Sequence, residues 1–237
     1  LFNSRRDASF SAGRLFCYTL SCYRNVINVF QVRGIMMYDD LKREILEISR
    51  LSYDRGYVAA TNGNISACTP DGRGVLIKAS GTSFAHLTME DILLVDKEGR
   101  VLEGSLGKKP SMELYLHLAV YSVRPEMKAV VHLHPPHTTA LSYLHREVPL
   151  LVLEAKMVLK KVPSVPSIPA GTPELVEAVR QLYVEEDVMA VVLKEHGIVT
   201  AAETLKEAFY RADLLEHNAE VACLVASMGG IPPVSPL

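Results

Sequence analysis

Two histidines separated by one leucine give the chain its clearest chemical signal, in the segment 130–135, Val-Val-His-Leu-His-Pro. Side chains two positions apart on a β-strand project from the same face, so His132 and His134 are expected to lie side by side. Two imidazoles at that spacing can chelate one divalent cation, and imidazole nitrogen is a good ligand for zinc. An isolated His-x-His pair is also compatible with two histidines that make ordinary hydrogen bonds.

A third histidine and one glutamate are candidates to complete a metal site. His196 follows the apolar segment Val188–Leu193, and Gly197 would let the backbone turn there at little steric cost. Three histidines with one open position form the usual arrangement of a catalytic zinc ion. Glu113 begins a helix predicted after Pro110, where the helix dipole stabilises a carboxylate. It is therefore either a simple N-terminal glutamate or, beside a metal, a general base.

Two small polar loops are candidates for phosphate binding. Residues 61–66 read Thr-Asn-Gly-Asn-Ile-Ser, and the Asn-Gly pair needs a tight turn whose N–H groups and amides can hold a phosphate. Residues 80–83, Ser-Gly-Thr-Ser, form a second hydroxyl-rich loop. Each loop alone is equally explained as a turn. The sequence contains no P-loop, G-x-G-x-x-G or G-x-S-x-G motif.

Composition excludes several classes of protein. The chain has 237 residues, 49% of them hydrophobic and 22% charged, which suffices for one sizeable core and excludes a disordered chain. No apolar run reaches the ~20 residues of a membrane helix, and a net charge of −2 gives no electrostatic case for nucleic acid. Four cysteines without C-x-x-C spacing indicate reduced thiols in an intracellular, cytoplasmic protein. They are Cys17, Cys22, Cys68 and Cys223.

The first 35 residues differ from the rest of the chain. They contain five arginines and a single acidic residue, Asp7. A segment rich in Arg and Ser and poor in acids can be an organellar transit peptide. The interpretation we favour is translated upstream or non-native sequence, with the natural start at Met36 or Met37. We therefore predict that residues 1–35 lie outside the core and that residues 36–237 form the domain.

The pattern of apolar residues predicts intermingled helices and strands. Helices are predicted from Tyr38 to Gly56, at Glu113–Val123, at 137–144, from Pro173 to about Glu186 and from Leu205 to Met228. Strands are predicted at 64–68, 75–79, Ile92–Val95, Ala129–His134, Val148–Leu153 and Val188–Leu193, with an irregular or edge segment at 158–169. This order predicts a single α/β domain with a central mixed, mostly antiparallel sheet flanked by helices.

Five segments, in this order, resemble the class II aldolase/adducin family, and most closely its L-fuculose-1-phosphate aldolase branch. They are Gly63-Asn64-Ile65-Ser66, Ile77-Lys78-Ala79-Ser80-Gly81, Lys109-Pro110-Ser111-Met112-Glu113, His132-Leu133-His134 and Glu195-His196-Gly197. The resemblance runs from about residue 38 to residue 230. It is specific for the family and less so for the substrate.

The resemblance implies a role at each matching position. His132, His134 and His196 match zinc ligands, with one Zn²⁺ per subunit. Glu113 matches a glutamate that contacts the metal in the resting enzyme and serves as the acid/base. The positions that match the family's phosphate-binding residues are Gly63, Asn64, Ser80, Gly81 and Ser111, with Thr61 beside them. Family aldolases are usually homotetramers with active sites at subunit interfaces.

The implied reaction is the reversible cleavage of a ketose 1-phosphate to dihydroxyacetone phosphate and an aldehyde. Zinc would act as a Lewis acid and stabilise the enediolate left by cleavage between C3 and C4. Glu113 would move the proton at the nucleophilic carbon.

Two positions depart from the fuculose aldolases. Met112 stands where they have a second phosphate-contacting serine. Leu153 or Glu154 falls near the expected place of a proton-donating tyrosine, for which Tyr143 and Tyr210 are the candidate substitutes.

Other readings of the same residues stay open. Family members with similar zinc sites include a pentulose-phosphate 4-epimerase, a sugar-acid phosphate decarboxylase and a methylthioribulose-phosphate dehydratase. Glutamate at position 113, where the epimerases typically carry aspartate, favours aldol cleavage without excluding the decarboxylase. Adducin-like binding proteins have lost the metal ligands, whereas this chain retains three histidines and Glu113. A metal-binding structural protein without turnover is a further alternative.

Overall fold

The structure is a computed structural model that describes residues 38–144 and 148–230. The strands are β1 Asn64–Cys68, β2 Val75–Lys78, β3 Ile92–Val95, β4 Val101–Glu103, β5 Ala129–Leu133, β6 Ser164–Val165, β7 Ala190–Leu193 and β8 Gly197–Ala202. The helices are α1 Asp39–Asp54, α2 Leu114–Val123, α3 Pro136–Leu144, α4 Leu153–Leu159, α5 Pro173–Tyr183 and α6 Leu205–Ser227, with short 3₁₀ helices at Phe84–His86 and Met89–Asp91. The predicted leader 1–35, with Cys17 and Cys22, lies outside the described residues.

All eight strands belong to one sheet, in the order β4-β3-β2-β1-β5-β8-β7-β6. Neighbouring strands are antiparallel except β6 and β7, which are parallel. The predicted α/β domain with a mixed, mostly antiparallel sheet is therefore confirmed. Within the described ranges, no helix is long and apolar enough to cross a membrane, and Cys68 and Cys223 are free thiols.

Alternate residues of the central strands face different helices. Val130 and Val199 belong to an apolar cluster formed with α2 and α5, which pack on each other. The next residue, Thr200, donates from its hydroxyl to the carbonyl of Ala208 in α6 at 2.7 Å. Helices α3 and α4 contact α6. Thus β5 and β8 are covered on both faces, which agrees with the complete burial of both strands.

The predicted strand Val148–Leu153 is wrong. Residues 148–152 form neither helix nor strand, and α4 begins at Leu153. The cause is Asn218 of α6, whose Oδ1 accepts from the N–H groups of Leu151 and Val152 at 2.8 and 3.1 Å. Its Nδ2 donates to the carbonyl of Pro149. Because a distant side chain satisfies this backbone, the segment needs no strand partner.

A strand that the sequence pattern did not predict, β8, lies between β5 and β7. All six of its residues are buried. Its mixture of glycine, threonine and alanine gives no continuous run of large apolar side chains, so it has a weak strand signal. The segment 158–169 contains the two-residue edge strand β6, as predicted, although its first two residues end α4.

Candidate metal centre

The sheet order brings the three predicted histidines together. His132 lies near the end of β5, His134 directly follows that strand, and His196 lies in the turn that joins β7 to β8. Since β5 pairs with β8, this turn sits beside the end of β5. One ring nitrogen from each histidine lies within 4.8 Å of the other two. The ring centroids are 4.7 to 4.9 Å apart, with edge-on geometry.

Gly197 is needed for a different reason from the one predicted. It does not adopt a positive φ, and the left-handed residue of this turn is Glu195, with φ of 63°. A Cβ atom on Gly197 would lie 2.2 Å from the carbonyl oxygen of Leu133 and 3.2 Å from Cδ2 of His134. Glycine therefore permits the close approach of β8 to β5 that brings His196 to the other histidines.

Glu113 immediately precedes α2 and extends its carboxylate into the histidine cluster. Its Oε2 lies 3.1 Å from Nε2 of His132, and its Oε1 lies 3.5 Å from Nε2 of His196. Oε1 is buried and has no hydrogen-bond partner among the described residues. Burial acts to raise the pKa of Glu113, but His132, His196 and the amide of Asn64 outweigh it and hold the pKa well below its usual range. The carboxylate is therefore ionised at neutral pH.

Two of the three histidines, His134 and His196, are held in the neutral form, whereas His132 shares a proton with Glu113. Nδ1 of His132 donates to the carbonyl of Ile198 at 2.8 Å. Burial acts to lower the pKa of His132, but the carboxylate of Glu113 and this carbonyl outweigh it and raise the pKa. A metal that binds Nε2 of His132 must therefore displace a proton. Burial, followed by the charges of His132 and His196, lowers the pKa of His134 to about 3. Burial and the charge of His132 also lower the pKa of His196. Neutral imidazole is the form that binds a metal.

A divalent cation fits these residues. Nε2 of His132 and Nε2 of His134 lie 3.0 Å apart, close to the ~3.3 Å edge of a tetrahedron built on Zn–N bonds of about 2.0–2.1 Å. A buried carboxylate oxygen without a hydrogen bond normally leaves a desolvation penalty of about 1–3 kcal/mol or more. A cation at the centre of the cluster would satisfy both this oxygen of Glu113 and the imidazole lone pairs.

The predicted phosphate-binding segments lie close to one another around Lys78. The N–H of Ser111 donates to the carbonyl of Lys78, and the N–H of Ser80 donates to the carbonyl of Lys109. The ammonium of Lys78 donates to the carbonyl of Thr61 at 3.3 Å. Ser80, Gly81 and Thr61 are exposed, Ser111 is half-buried and Gly63 is buried. The sheet thus gathers the predicted residues at the same end of the central strands as the histidines.

Lys78 itself is a residue that the motif analysis quoted but did not assign. Its side chain is 2% exposed, and its ammonium lies 5.6 Å from the centre of the Phe84 ring. Burial lowers the pKa of Lys78 to about 8, while Asp91 and Glu113 act to raise it. Strand β2 reads Val-Leu-Ile-Lys, and nothing in this local sequence separates a buried lysine from an exposed one.

His117 is a second residue that the sequence analysis did not assign. It lies one helical turn after Glu113 and is fully buried. Its Nδ1 lies 2.6 Å from Oγ of Ser66, and its Nε2 contacts Oδ1 of Asn64. Asn64, in turn, donates from Nδ2 to Oε2 of Glu113 at 2.8 Å. The amide of Asn64 therefore bonds to two side chains of the site, and its predicted phosphate contact stays a prediction.

The positions that depart from the family pattern are exposed. Met112 is 75% exposed and Leu153 is 66% exposed. The candidate proton donors Tyr143 in α3 and Tyr210 in α6 are 59% and 58% exposed. No described contact joins either tyrosine to the histidine cluster, so their roles stay predictions.

A cavity of about 700 Å³ lies at the opposite end of β1 and β5. Its walls include Cys68, Met127, Lys128 and Tyr121. None of the three histidines lines it, so the candidate chemistry lies at the Asn64 end of the sheet.

Comparison with known proteins assigns a family to this arrangement. Residues 43–223 match the model of the class II aldolase and adducin N-terminal domain. The chain is 40% identical over 188 residues to the L-fuculose phosphate aldolase of Methanococcus vannielii, covering 79% of this chain and 98% of that protein. It is 36% identical over 186 residues to a methylthioribulose-1-phosphate dehydratase of Methylococcus capsulatus, covering 73% and 88%.

Further relatives show both a different activity and the same fold. A 3-oxo-tetronate 4-phosphate decarboxylase of Haemophilus influenzae is 33% identical over 191 residues, covering 78% of this chain and 88% of that protein. The crystal structure of L-fuculose-1-phosphate aldolase from Thermus thermophilus superposes with a TM-score of 0.72 at 30% identity. That match covers 82% of this chain and 98% of the other.

Proposed function

The chain belongs to the class II aldolase and adducin family, and we propose that it is a zinc-dependent aldolase. The proposed reaction is the reversible cleavage of a ketose 1-phosphate similar to L-fuculose 1-phosphate, giving dihydroxyacetone phosphate and an aldehyde. One observation carries the proposal: a buried, ionised carboxylate, Glu113, lies against three clustered histidines and has one oxygen without a hydrogen bond. Such a site provides both a cation and a base for chemistry beside a carbonyl group.

The three histidines and Glu113 would hold one Zn²⁺ per chain. When bound, zinc supplies Lewis acidity that polarises the substrate carbonyl and stabilises the negative charge developing on its oxygen. His132 is oriented for this role by the carbonyl of Ile198, in the manner of a metal-ligating histidine whose second nitrogen is fixed by a hydrogen bond.

Glu113 would carry the proton at the nucleophilic carbon. In the cleavage direction, the ionised carboxylate of Glu113 takes the proton of the C4 hydroxyl, the C3–C4 bond breaks and its electron pair remains on C3. The carboxyl form of Glu113 then protonates C3 to complete dihydroxyacetone phosphate, and in the synthetic direction the carboxylate removes that proton. Because Asn64 occupies Oε2, the oxygen available for this transfer is Oε1.

The substrate phosphate would bind between the loops around Lys78. The proposed contacts come from Thr61, Gly63, Asn64, Ser80, Gly81 and Ser111. Met112 cannot donate the hydrogen bond that a serine would make there, but the ammonium of Lys78 adds a positive charge at the base of the same loops. A charged donor binds a phosphate more strongly than a neutral hydroxyl, so Lys78 compensates for Met112.

A panel of ketose 1-phosphates, supplied with Zn²⁺, tests the proposal through release of dihydroxyacetone phosphate in a coupled assay. We expect release that stops on chelation, returns with Zn²⁺ and falls by at least about 10²-fold in Glu113→Gln, since a general base contributes about 10²–10⁴-fold. Glu174→Gln, at an exposed position of α5, is the matched control and should keep full activity. Metal content measured in both variants separates loss of the base from loss of the metal.

The decarboxylase and dehydratase relatives define the second candidate. Similarity of 33% and 36% to those enzymes, together with the exposed Leu153 near the expected place of a tyrosine, favours a reaction that needs no tyrosine donor. If no ketose 1-phosphate is cleaved by protein that holds one zinc per chain, the aldolase proposal is wrong. Assays with a 3-oxo sugar-acid phosphate and with methylthioribulose 1-phosphate would then distinguish the other two reactions.

We further propose that the active enzyme is a cytoplasmic homotetramer. Family aldolases with active sites at subunit interfaces support this assembly. Sedimentation equilibrium should give four times the chain mass of 26.1 kDa, and a monomer that is fully active would contradict it.

A further inference from the structure

A row of buried polar side chains runs from Glu113 into the interior between α2 and β1. Glu113, His117 and Tyr121 follow one another at four-residue steps on the helix side. Asn64 and Ser66 follow at a two-residue step on the strand side. Four helical residues rise about 6 Å and two strand residues rise about 6.6 Å, so the two sets of side chains stay in register.

The contacts alternate between the helix and the strand. Asn64 Nδ2 donates to Glu113 Oε2 at 2.8 Å, and Asn64 Oδ1 contacts Nε2 of His117. Ser66 Oγ lies 2.6 Å from Nδ1 of His117 and 2.7 Å from the hydroxyl of Tyr121. Asn64, Ser66 and His117 are each at most 3% exposed. Water therefore has little access to compete for these hydrogen bonds.

The carboxylate at one end fixes the direction of every hydrogen bond in the row. Because ionised Glu113 can only accept, Asn64 must turn its NH₂ group toward it, which leaves Oδ1 facing His117. An amide oxygen also only accepts, so Nε2 of His117 carries the proton. Burial lowers the pKa of His117 to about 3, so the ring is neutral and its Nδ1 accepts from Ser66. The hydroxyl of Ser66 can then only accept from Tyr121, whose O–H group also donates to the carbonyl of Ser66 at 3.1 Å.

We propose that His117 is a positioning residue that acts on Glu113 through Asn64. Its Nε2–H group holds the amide of Asn64 in the orientation that donates to Oε2 of Glu113. The second carboxylate oxygen, Oε1, then remains free at 3.5 Å from Nε2 of His196. The row thus fixes Oε2 between Asn64 and His132 and leaves Oε1 as the oxygen of Glu113 without a hydrogen bond. This inference rests on the function proposed above.

Two substitutions of similar size distinguish loss of the His117 hydrogen-bond donor from loss of its packing. In His117→Gln the side-chain amide can still donate to Asn64, whereas His117→Leu fills the space without a donor. We expect His117→Leu to lower kcat by about 10–100-fold, the usual effect of losing a partner that orients a ligand, with KM changed less than about threefold. His117→Gln should keep kcat within about threefold. Equal loss of kcat in the two variants would overturn the proposal.

A double-mutant cycle with Asn64→Ala tests whether His117 acts through Asn64. Residues that act as one unit give strongly non-additive effects. In the Asn64→Ala background, His117→Leu should therefore change kcat by less than about threefold. A full additional loss, or a fall in melting temperature without a change in the kcat of the folded protein, would show that His117 has only a structural role.

Two measurements test the row without any catalytic assay. The ¹⁵N spectrum of histidine-labelled protein should show His117 neutral, with the proton on Nε2, across the range near pH 6.5 where ordinary histidine titrates. The visible spectrum of the Co²⁺-loaded protein should change in His117→Leu and not in His117→Gln, since only the former frees Glu113 to reorient. A His117 that titrates near pH 6.5, or identical Co²⁺ spectra in all three proteins, contradicts the positioning role. If both signatures appear but no ketose 1-phosphate is cleaved, the proposed function fails and the positioning of Glu113 stands.

Discussion

Replacing Gly197 by alanine should displace one wall of the candidate metal centre. The added Cβ would lie 2.2 Å from the carbonyl oxygen of Leu133, and such contacts are ordinary only beyond about 3.4 Å. The start of β8 must therefore move away from β5 by about 1 Å. Backbone atoms on both sides are held in the sheet, so no flexible side chain can absorb the movement.

The displacement can be converted into expected losses. Moved by about 1 Å, the carbonyl of Ile198 would lie well beyond hydrogen-bond distance of Nδ1 of His132, from which it is now 2.8 Å away. Loss of such an orienting contact lowers metal affinity by about 10–100-fold. The overpacked site should also lose about 1–3 kcal/mol of unfolding free energy. At 2–4 °C per kcal/mol for a chain of this size, the melting temperature should fall by about 2–12 °C.

Zn²⁺ titration by competition with a chromophoric chelator, together with thermal unfolding, measures both effects. Gly74→Ala is the matched control, because its Cβ would lie 2.1 Å from the carbonyl oxygen of Val95, far from the histidines. Both variants should lose stability, but only Gly197→Ala should lose metal affinity. Equal zinc affinity in the two variants would refute the view that glycine at 197 positions His196.

Three further predictions test other parts of the molecule. Lys78→Met should raise KM by about 10–100-fold, the value of one charge-assisted hydrogen bond. The KM of the wild-type protein should rise as the pH passes through about 8, because the Lys78 ammonium loses its proton there. The KM of Lys78→Met should not change with pH in this range. Glu216→Leu should lower the unfolding free energy, measured in urea, by about 2–6 kcal/mol, because Glu216 accepts from the N–H groups of His137 and Thr138 at the start of α3. An unchanged unfolding free energy would show that water replaces the Glu216 carboxylate as the acceptor. Deleting residues 1–35 should leave kcat and zinc content unchanged, and loss of either would move the domain boundary toward the N-terminus.

The sequence was sufficient to predict the features that belong to single elements. Helices α2, α5 and α6 were predicted from their apolar spacing, and in α5 and α6 the hydroxyls of Thr172 and Thr204 cap the first turn. The failures have tertiary causes. The loop at 148–152 is held by Asn218, about 67 residues away, and β8 is a strand because its neighbours bury it.

The same distinction applies to the candidate site. His132 and His134 could be paired from the sequence because they lie on one strand. From their local sequence His196 and Glu113 could be named only as candidates, and the family resemblance joined them to the pair, since their proximity depends on the order of the strands. Lys78 and His117 were missed as functional candidates because a buried lysine or histidine has no local signature that separates it from an exposed one.

The polar row between α2 and β1 also helps to specify the register of the sheet. β1 pairs with β5 so that Asn64 lies opposite His132. A slip of one residue would turn every β1 side chain to the other face and present Ile65 to α2 in place of Asn64. His117 and Glu113 would then lose their partners, and each buried polar group without a partner costs about 1–3 kcal/mol. The residues proposed to orient the catalytic carboxylate are therefore also residues that disfavour the wrong strand pairing.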